Sequence, residues 1–186
     1  VLTTFKVNHL FVHRCQVVNG EVKVGDYAFA QIDSARRAQI RVHHTSAHLL
    51  QAALIKVLGD EVKQAGSQVE DNRMRFDFTF SRAMTPQEVK KTEDIMNKWI
   101  GEKLPVNTDV MGIEEAKLTG ATALFGEKYE DVVRVVSIGG KAKCNCGSDC
   151  SCDHESGEEK EVISKEFCAG THASNTADLR LVKIVS

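Results

Sequence analysis

Two histidines four residues apart, His44 and His48, and a cysteine and a histidine with the same spacing far downstream, Cys168 and His172, restrict the folds open to this chain. On a helix, residues at that spacing share one face, one turn apart. Each pair has an apolar flank that can anchor it, Leu49-Leu50 in one case and Phe167 in the other. Three imidazoles and a thiolate make a nitrogen and sulfur set suited to tetrahedral zinc. A fold that joins the pairs has a metal centre; a fold that separates them has two unrelated pairs. The residues between the histidines, Thr45-Ser46-Ala47, include no Glu. The chain therefore lacks the HExxH arrangement in which that Glu serves a metallopeptidase as general base.

The 186 residues suffice to bury a real core, and an apolar share of 42% with 27% charged residues is ordinary for a globular domain. No apolar run approaches the ~20 residues that span a bilayer, and the N-terminus lacks a signal-peptide pattern, so no membrane role is expected. Val1 in place of Met reads as the start of an excised piece, with a further domain expected outside it. Four of the six Cys crowd into Cys144, Cys146, Cys150 and Cys152, with His154 behind them. That clustering is unlike a disulfide framework and points to metal binding in a reducing cytoplasm, with a second metal or a loop of exposed thiols as the alternatives. The net charge of −2 hides an asymmetry: residues 141–161 hold three Lys against six Asp and Glu, which leaves about +1 on the rest. Arg36, Arg37 and Arg41 precede the His pair, and Arg73 and Arg75 follow it. Such a basic surface suits a phosphate-bearing substrate.

Taken in order, residues 5–33 read as short strands, Phe5 to Val12, Gln16 to Val24 and Tyr27 to Ile32, with a hairpin at Asn19-Gly20. A small partial barrel over residues 1–36 is expected, in which His9, His13 and Cys15 are ordinary strand residues. Leu49, Leu50, Ala53, Leu54, Val57 and Leu58 then recur at helical spacing before Gly59, which places the His pair in the first turns of a four-turn helix. Gln64-Ala65-Gly66-Ser67 reads as a turn, and Arg73 to Phe80 as a strand whose Phe76, Phe78 and Phe80 face the core. Thr85-Pro86-Gln87-Glu88 opens a helix to about Glu102 that buries Val89, Met96, Trp99 and Ile100. A strand over Pro105 to Met111, a short helix over Ile113 to Leu118 and a strand over Val132 to Ile138 follow. The acidic, Cys-rich stretch 141–161 has no periodicity and reads as an insertion. Val162 to Phe167 resumes the sheet and delivers Cys168, and Leu179 to Val185 closes the fold as a last strand. The fold class expected is α+β: a small N-terminal β module on a sandwich of helices and antiparallel sheet, over residues 37–186, that carries the zinc site.

Six stretches, in order, resemble the editing domain of alanyl-tRNA synthetase: His44-Thr45-Ser46-Ala47-His48-Leu49-Leu50, Gln64-Ala65-Gly66-Ser67, Met74-Arg75-Phe76-Asp77-Phe78, Ala123-Leu124-Phe125-Gly126-Glu127-Lys128-Tyr129, Val133-Arg134-Val135-Val136-Ser137 and Cys168-Ala169-Gly170-Thr171-His172. The threonyl-tRNA synthetase editing domain shares the two ligand pairs but not the Arg-Phe-Asp-Phe strand. The resemblance implies hydrolysis of the ester that joins Ser or Gly to alanine tRNA. It implies one zinc held by His44, His48, Cys168 and His172, with Gln64 helping to recognise serine. It also implies a cytoplasmic parent enzyme with a linked, ATP-using aminoacylation domain. The candidate catalytic residues are Gln64, Thr45, His44 and Cys168. Gln64, Thr45, Ala47, Thr171, Arg75, Arg37 and Arg41 are the candidates for contact with substrate and the tRNA acceptor end. Three positions depart from the family pattern: Ala47 replaces a Thr, His43 an Asn and Ala169 a Gly.

Three function classes follow: an aminoacyl-ester hydrolase acting in editing, an RNA-binding module with a purely structural zinc, and a zinc- or redox-responsive interaction domain built on the Cys cluster. An aminoacyl ester is already activated, so no covalent nucleophile is required, and a zinc-bound Cys168 would be a ligand rather than an attacking group.

Overall fold

The structure, a computed structural model, describes residues 1–8, 10–123, 129–142 and 160–185. The chain divides into two compact units, Val1–Ile32 and Asp33–Ser186. The division falls ahead of the expected boundary at residue 36 because Asp33 already belongs to the next element as its N-cap.

The first unit is simpler than the expected partial barrel. It holds a two-stranded antiparallel hairpin, β1 (Thr3–Val7) and β2 (Leu10–Arg14), in the register Thr3↔Arg14. The chain reverses at Asn8, whose φ of +54° is the left-handed conformation that Asn tolerates. Asn19-Gly20 does bend the backbone, but its flanks form no strand. Val17, Val18, Val22, Tyr27 and Phe29 are all more than half exposed. Strand preference depends on a partner surface to pack against, and these residues find none among the described residues of their own unit. His13 bonds Thr4 across the hairpin (2.9 Å) and Cys15 is exposed, while His9 lies outside the described residues.

The second unit is a mixed α and β domain with antiparallel sheets. Its first element, α1 (Ser34–Leu58), has 25 residues rather than four turns. Asp33 accepts a hydrogen bond from the Arg36 N–H (2.9 Å), and Ala35, Arg36, Arg37, Ala38 and Gln39 are helix formers that need no apolar period because they are exposed. The helix stops at Gly59, whose φ of +98° suits glycine. Strands β3 (Lys63–Val69) and β4 (Met74–Thr79) form a two-stranded ribbon. Gln64 to Ser67 is thus strand rather than turn, and the Gly-containing stretch marks a register shift between Gln64 and Gly66. Phe76, Phe78 and Phe80 alternate as expected but are half-buried and outside both core clusters.

Helix α2 (Pro86–Gly101) starts with a full capping box from Thr85 and Glu88. It buries Met96, Trp99 and Ile100, with Thr92 in the place expected for Val89, which is half-buried. Strand β5 (Val106–Gly112), helix α3 (Ile113–Leu118), β6 (Val132–Gly140) and β7 (Lys160–Phe167) follow. The sheet order is β5-β6-β7. Its middle strand packs Ile138 against Leu49, Met96 and Trp99 on one side, and Val133 and Val135 against Ala116 and Phe167 on the other. Burial on both faces explains the near-continuous apolar run in β6.

The C-terminal stretch forms a 3-10 turn, Thr176–Leu179, and no strand follows among the described residues. The polar groups of the tail are met by side chains of α2. Asn97 accepts from the Val182 N–H and donates to the Val182 carbonyl (both 2.9 Å), and Glu93 accepts from the Ile184 N–H (2.9 Å). Buried Thr176 fixes the turn by accepting from the Leu104 N–H (2.8 Å) and donating to the Trp99 carbonyl (2.9 Å).

Candidate metal centre and the adjoining cleft

Helix α1 presents His44 and His48 one turn apart, and the chain leaving β7 places Cys168 and His172 opposite them. The four donor atoms lie within 4.8 Å of one another. Cys168 Sγ is 3.5 Å from His44 Nε2 and 3.3 Å from His172 Nε2. Bond lengths of ~2.0–2.1 Å to nitrogen and ~2.3 Å to sulfur place donors at the corners of a zinc tetrahedron, roughly 3.5 Å apart. Among the described residues His48 Nε2 is buried with no hydrogen-bond partner, and a buried polar atom in that state calls for an explanation. The donor set, its spacing and this orphaned nitrogen all fit a metal ion.

Local structure holds each member of the cluster. Thr45 is fully buried; its hydroxyl donates to the Arg41 carbonyl (2.9 Å), accepts from the Ala173 N–H (3.0 Å) and lies 3.4 Å from His172 Nδ1. Arg134 Nη1 donates to the Ala169 and Gly170 carbonyls (both 2.8 Å), and Arg41 Nε donates to the His172 carbonyl. The loop from Cys168 to His172 is therefore clamped from two sides. A Cβ at Gly170 would run into the His44 ring, so glycine is needed for the close approach. The His48 Nδ1 contacts Glu166 Oε2 at 2.6 Å.

The electrostatics favour a Cys168 thiolate with a protonated His48 beside it. Burial pushes the Cys168 thiol up, but His172, His44 and His48 more than offset it and hold it down at about 3. Burial likewise pulls His48 down, while the neighbouring Cys168 and Glu166 raise it to about 9. His172 is lowered from its ordinary value, chiefly by burial.

A cleft of about 730 Å³ opens beside the centre. Arg37, Arg41, Arg134, Thr171, His172 and Thr108 are among the residues in its wall. Three guanidinium groups next to a candidate metal site give a positive concavity.

Residues 133–186 match the family described as the threonyl and alanyl tRNA synthetase second additional domain. Over 181 residues, 97% of its length, the chain is 45% identical to an alanine–tRNA ligase of Synechococcus sp. (strain JA-3-3Ab), of which it spans 18%. The chain belongs to the alanyl-tRNA synthetase editing domains.

In this editing domain, four of the residues singled out from the sequence, His44, His48, Cys168 and His172, come together as one cluster. Arg37, Arg41 and Thr171 meet in the cleft. Thr45 and Ala47 are buried in α1, Thr45 behind His172 rather than in the cleft wall. Gln64 is half-buried on the β3–β4 ribbon, where its Nε2 donates to Ser67 Oγ (3.2 Å). Arg75 is on the same ribbon and pairs with Asp77 (3.2 Å), while Arg36 pairs with Asp71 (2.9 Å). Neither Gln64 nor Arg75 lines the cleft. Cys144, Cys146, Cys150 and Cys152 lie outside the described residues. Sequence reasoning missed Arg134 and Glu166. Arg134 reaches the site only through the pairing of β6 with β7, a register no local pattern reveals. Glu166 was within reach: on a strand, Ser164, Glu166 and Cys168 fall on one face. No helix among the described residues is long and apolar enough to cross a membrane.

Proposed function

We propose that this domain hydrolyses the ester joining serine or glycine to the 3′ end of alanine tRNA, as the editing part of a cytoplasmic ligase whose ATP-using aminoacylation domain lies elsewhere in the protein. The observation that supports this reading best is the meeting of the His44, His48, Cys168 and His172 cluster with the cleft walled by Arg37, Arg41 and Arg134. A phosphodiester end entering that cleft is drawn in by the guanidinium groups. The ester carbonyl then comes to rest beside the ligand cluster. Thr171 in the wall offers a hydroxyl to a ribose or to a misplaced serine. Thr45 keeps the His172 ring in place from behind, and Gln64, outside the cleft wall, would have to move in from the ribbon to meet the amino acid. Zinc held by His44, His48, Cys168 and His172 would supply Lewis-acid stabilisation of developing oxygen charge provided it gains a fifth position or releases one of these donors. Water attacks the activated ester, and the chain contributes placement and charge rather than a covalent nucleophile.

A second reading has one observation in its favour. Four protein donors close a tetrahedral site, as structural zinc does, so the domain would bind RNA without turnover. Deacylation of Ser-, Gly- and Ala-tRNA charged on alanine tRNA separates the two. Editing predicts release of Ser and Gly with Ala spared, and loss of that release in Cys168→Ala. Tight tRNA binding by the folded, zinc-loaded domain with no release from any substrate would establish the second reading and overturn the first. Hydrolysis of Gly but not Ser would trace to Ala47.

A further inference from the structure

The orphaned nitrogen of His48 and the carboxylate on the other side of its ring form one arrangement. Glu166 Oε2 lies 2.6 Å from His48 Nδ1 in a place where the two side chains are only 13% and 8% exposed. A carboxylate can only accept, so Nδ1 carries the hydrogen and donates it. That bond orients the ring so that Nε2, buried and without a hydrogen-bond partner, faces the other donors. The second carboxylate oxygen accepts from Ser164 Oγ at 3.0 Å, which fixes the Glu166 rotamer in turn. Ser164 and Glu166 sit two apart on β7, and Cys168 follows at the next position of that period. One short segment therefore supplies a ligand of the cluster and the support for another ligand on a different element. His172, by contrast, has the neutral Thr45 hydroxyl near its Nδ1, at 3.4 Å.

We propose that Glu166, braced by Ser164, is the positioning residue of the metal centre: its carboxylate holds His48 in the tautomer and orientation that aim Nε2 at the ion. The inference rests on the reading of the cluster as a zinc site. A carboxylate behind a ligating imidazole also strengthens it as a donor, and loss of such a partner typically weakens metal binding by about 10–100-fold. A carboxylate that merely tied β7 to α1 would leave the affinity of the folded protein unchanged.

The test uses the full chain, its Glu166→Ala, Glu166→Gln and Ser164→Ala variants, and zinc titrated against a competing chelator. Occupancy is read from the ring 15N resonances of His48, which report this site and not the cysteines of residues 144–152. The native chain is expected to show a single tautomer with the hydrogen on Nδ1 and zinc on Nε2. Glu166→Ala should lose about 10–100-fold in zinc affinity and mix the two tautomers. Glu166→Gln, which keeps an acceptor oxygen but not the charge, should fall between them, as should Ser164→Ala. Circular dichroism of the zinc-free proteins identifies any variant that fails to fold, and the two milder variants keep the inference testable if Glu166→Ala is one. Unchanged affinity and tautomer in the folded variants would overturn the role of Glu166 while leaving the zinc site intact. Failure of the native His48 signals to respond to zinc would instead overturn the metal reading itself.

Discussion

Thr45 carries three obligations with one hydroxyl: it donates to the Arg41 carbonyl, accepts from the Ala173 N–H, and stands behind the His172 ring. It is fully buried, so no water can replace those partners without a cavity opening. Thr45→Val keeps the shape and removes the oxygen. The Ala173 N–H is then left unsatisfied, and we expect a loss of about 1–3 kcal/mol. Urea unfolding of the metal-free domain measures it. Nothing in the sequence separates this threonine from a substrate-facing one, because its direction depends on a loop more than a hundred residues away. The placement of His44 and His48 was legible, since a four-residue spacing on a helix puts both on one face. Cys168 and His172 stand instead on a loop whose course depends on Arg134 and Arg41.

Among the elements, α2 shows most directly how a few residues set an end. Glu88 accepts from the Arg82 guanidinium (2.7 and 2.8 Å) and from the Thr85 N–H (2.8 Å), and these bonds lower its carboxyl from 4.5 to about 2. A carboxyl depressed in the folded state stabilises above its unfolded value, and that contribution disappears as pH falls from about 4.5 towards 2. Glu88→Gln should therefore unfold at lower urea than the native chain near neutral pH, with the gap closing below about pH 4.5; midpoints measured across this range provide the check. A gap that persists at pH 2 would mean the charge is not its source. This cap was readable because its residues are neighbours. The N-terminus of α1 was read ten residues late, as its first turns are polar and exposed and give no apolar period. The tail over Leu181 to Val185 has the composition of a strand, but Asn97 and Glu93 take up the backbone groups that a neighbouring strand would have bonded.

For the whole domain, the candidate centre links the middle of α1 to the segment that follows β7, two parts of the chain far apart in sequence. An ion that binds the folded state alone stabilises it by mass action, by about 2.7 kcal/mol when free zinc is 100-fold above its dissociation constant. For a domain of this size that corresponds to a Tm higher by roughly 5–10 °C than after chelation. Thermal unfolding with zinc and with a chelator is the measurement, and coincident curves would remove the ion from the fold. Alternation and helical period made most of this unit readable, while the first unit misled. Its β-branched residues signal strands, yet Val17, Val18, Val22 and Phe29 stay more than half exposed.

His44 is ten residues from the start of α1 and His48 ten from its end. Helices fray from their ends, over the first and last turns, and the openings die out toward the middle. Amide hydrogens near Ser34 to Gln39 should thus trade with solvent readily, while those around His44 to His48 exchange only when the domain opens as a whole. The histidines stand on the part of the rod that thermal breathing reaches last.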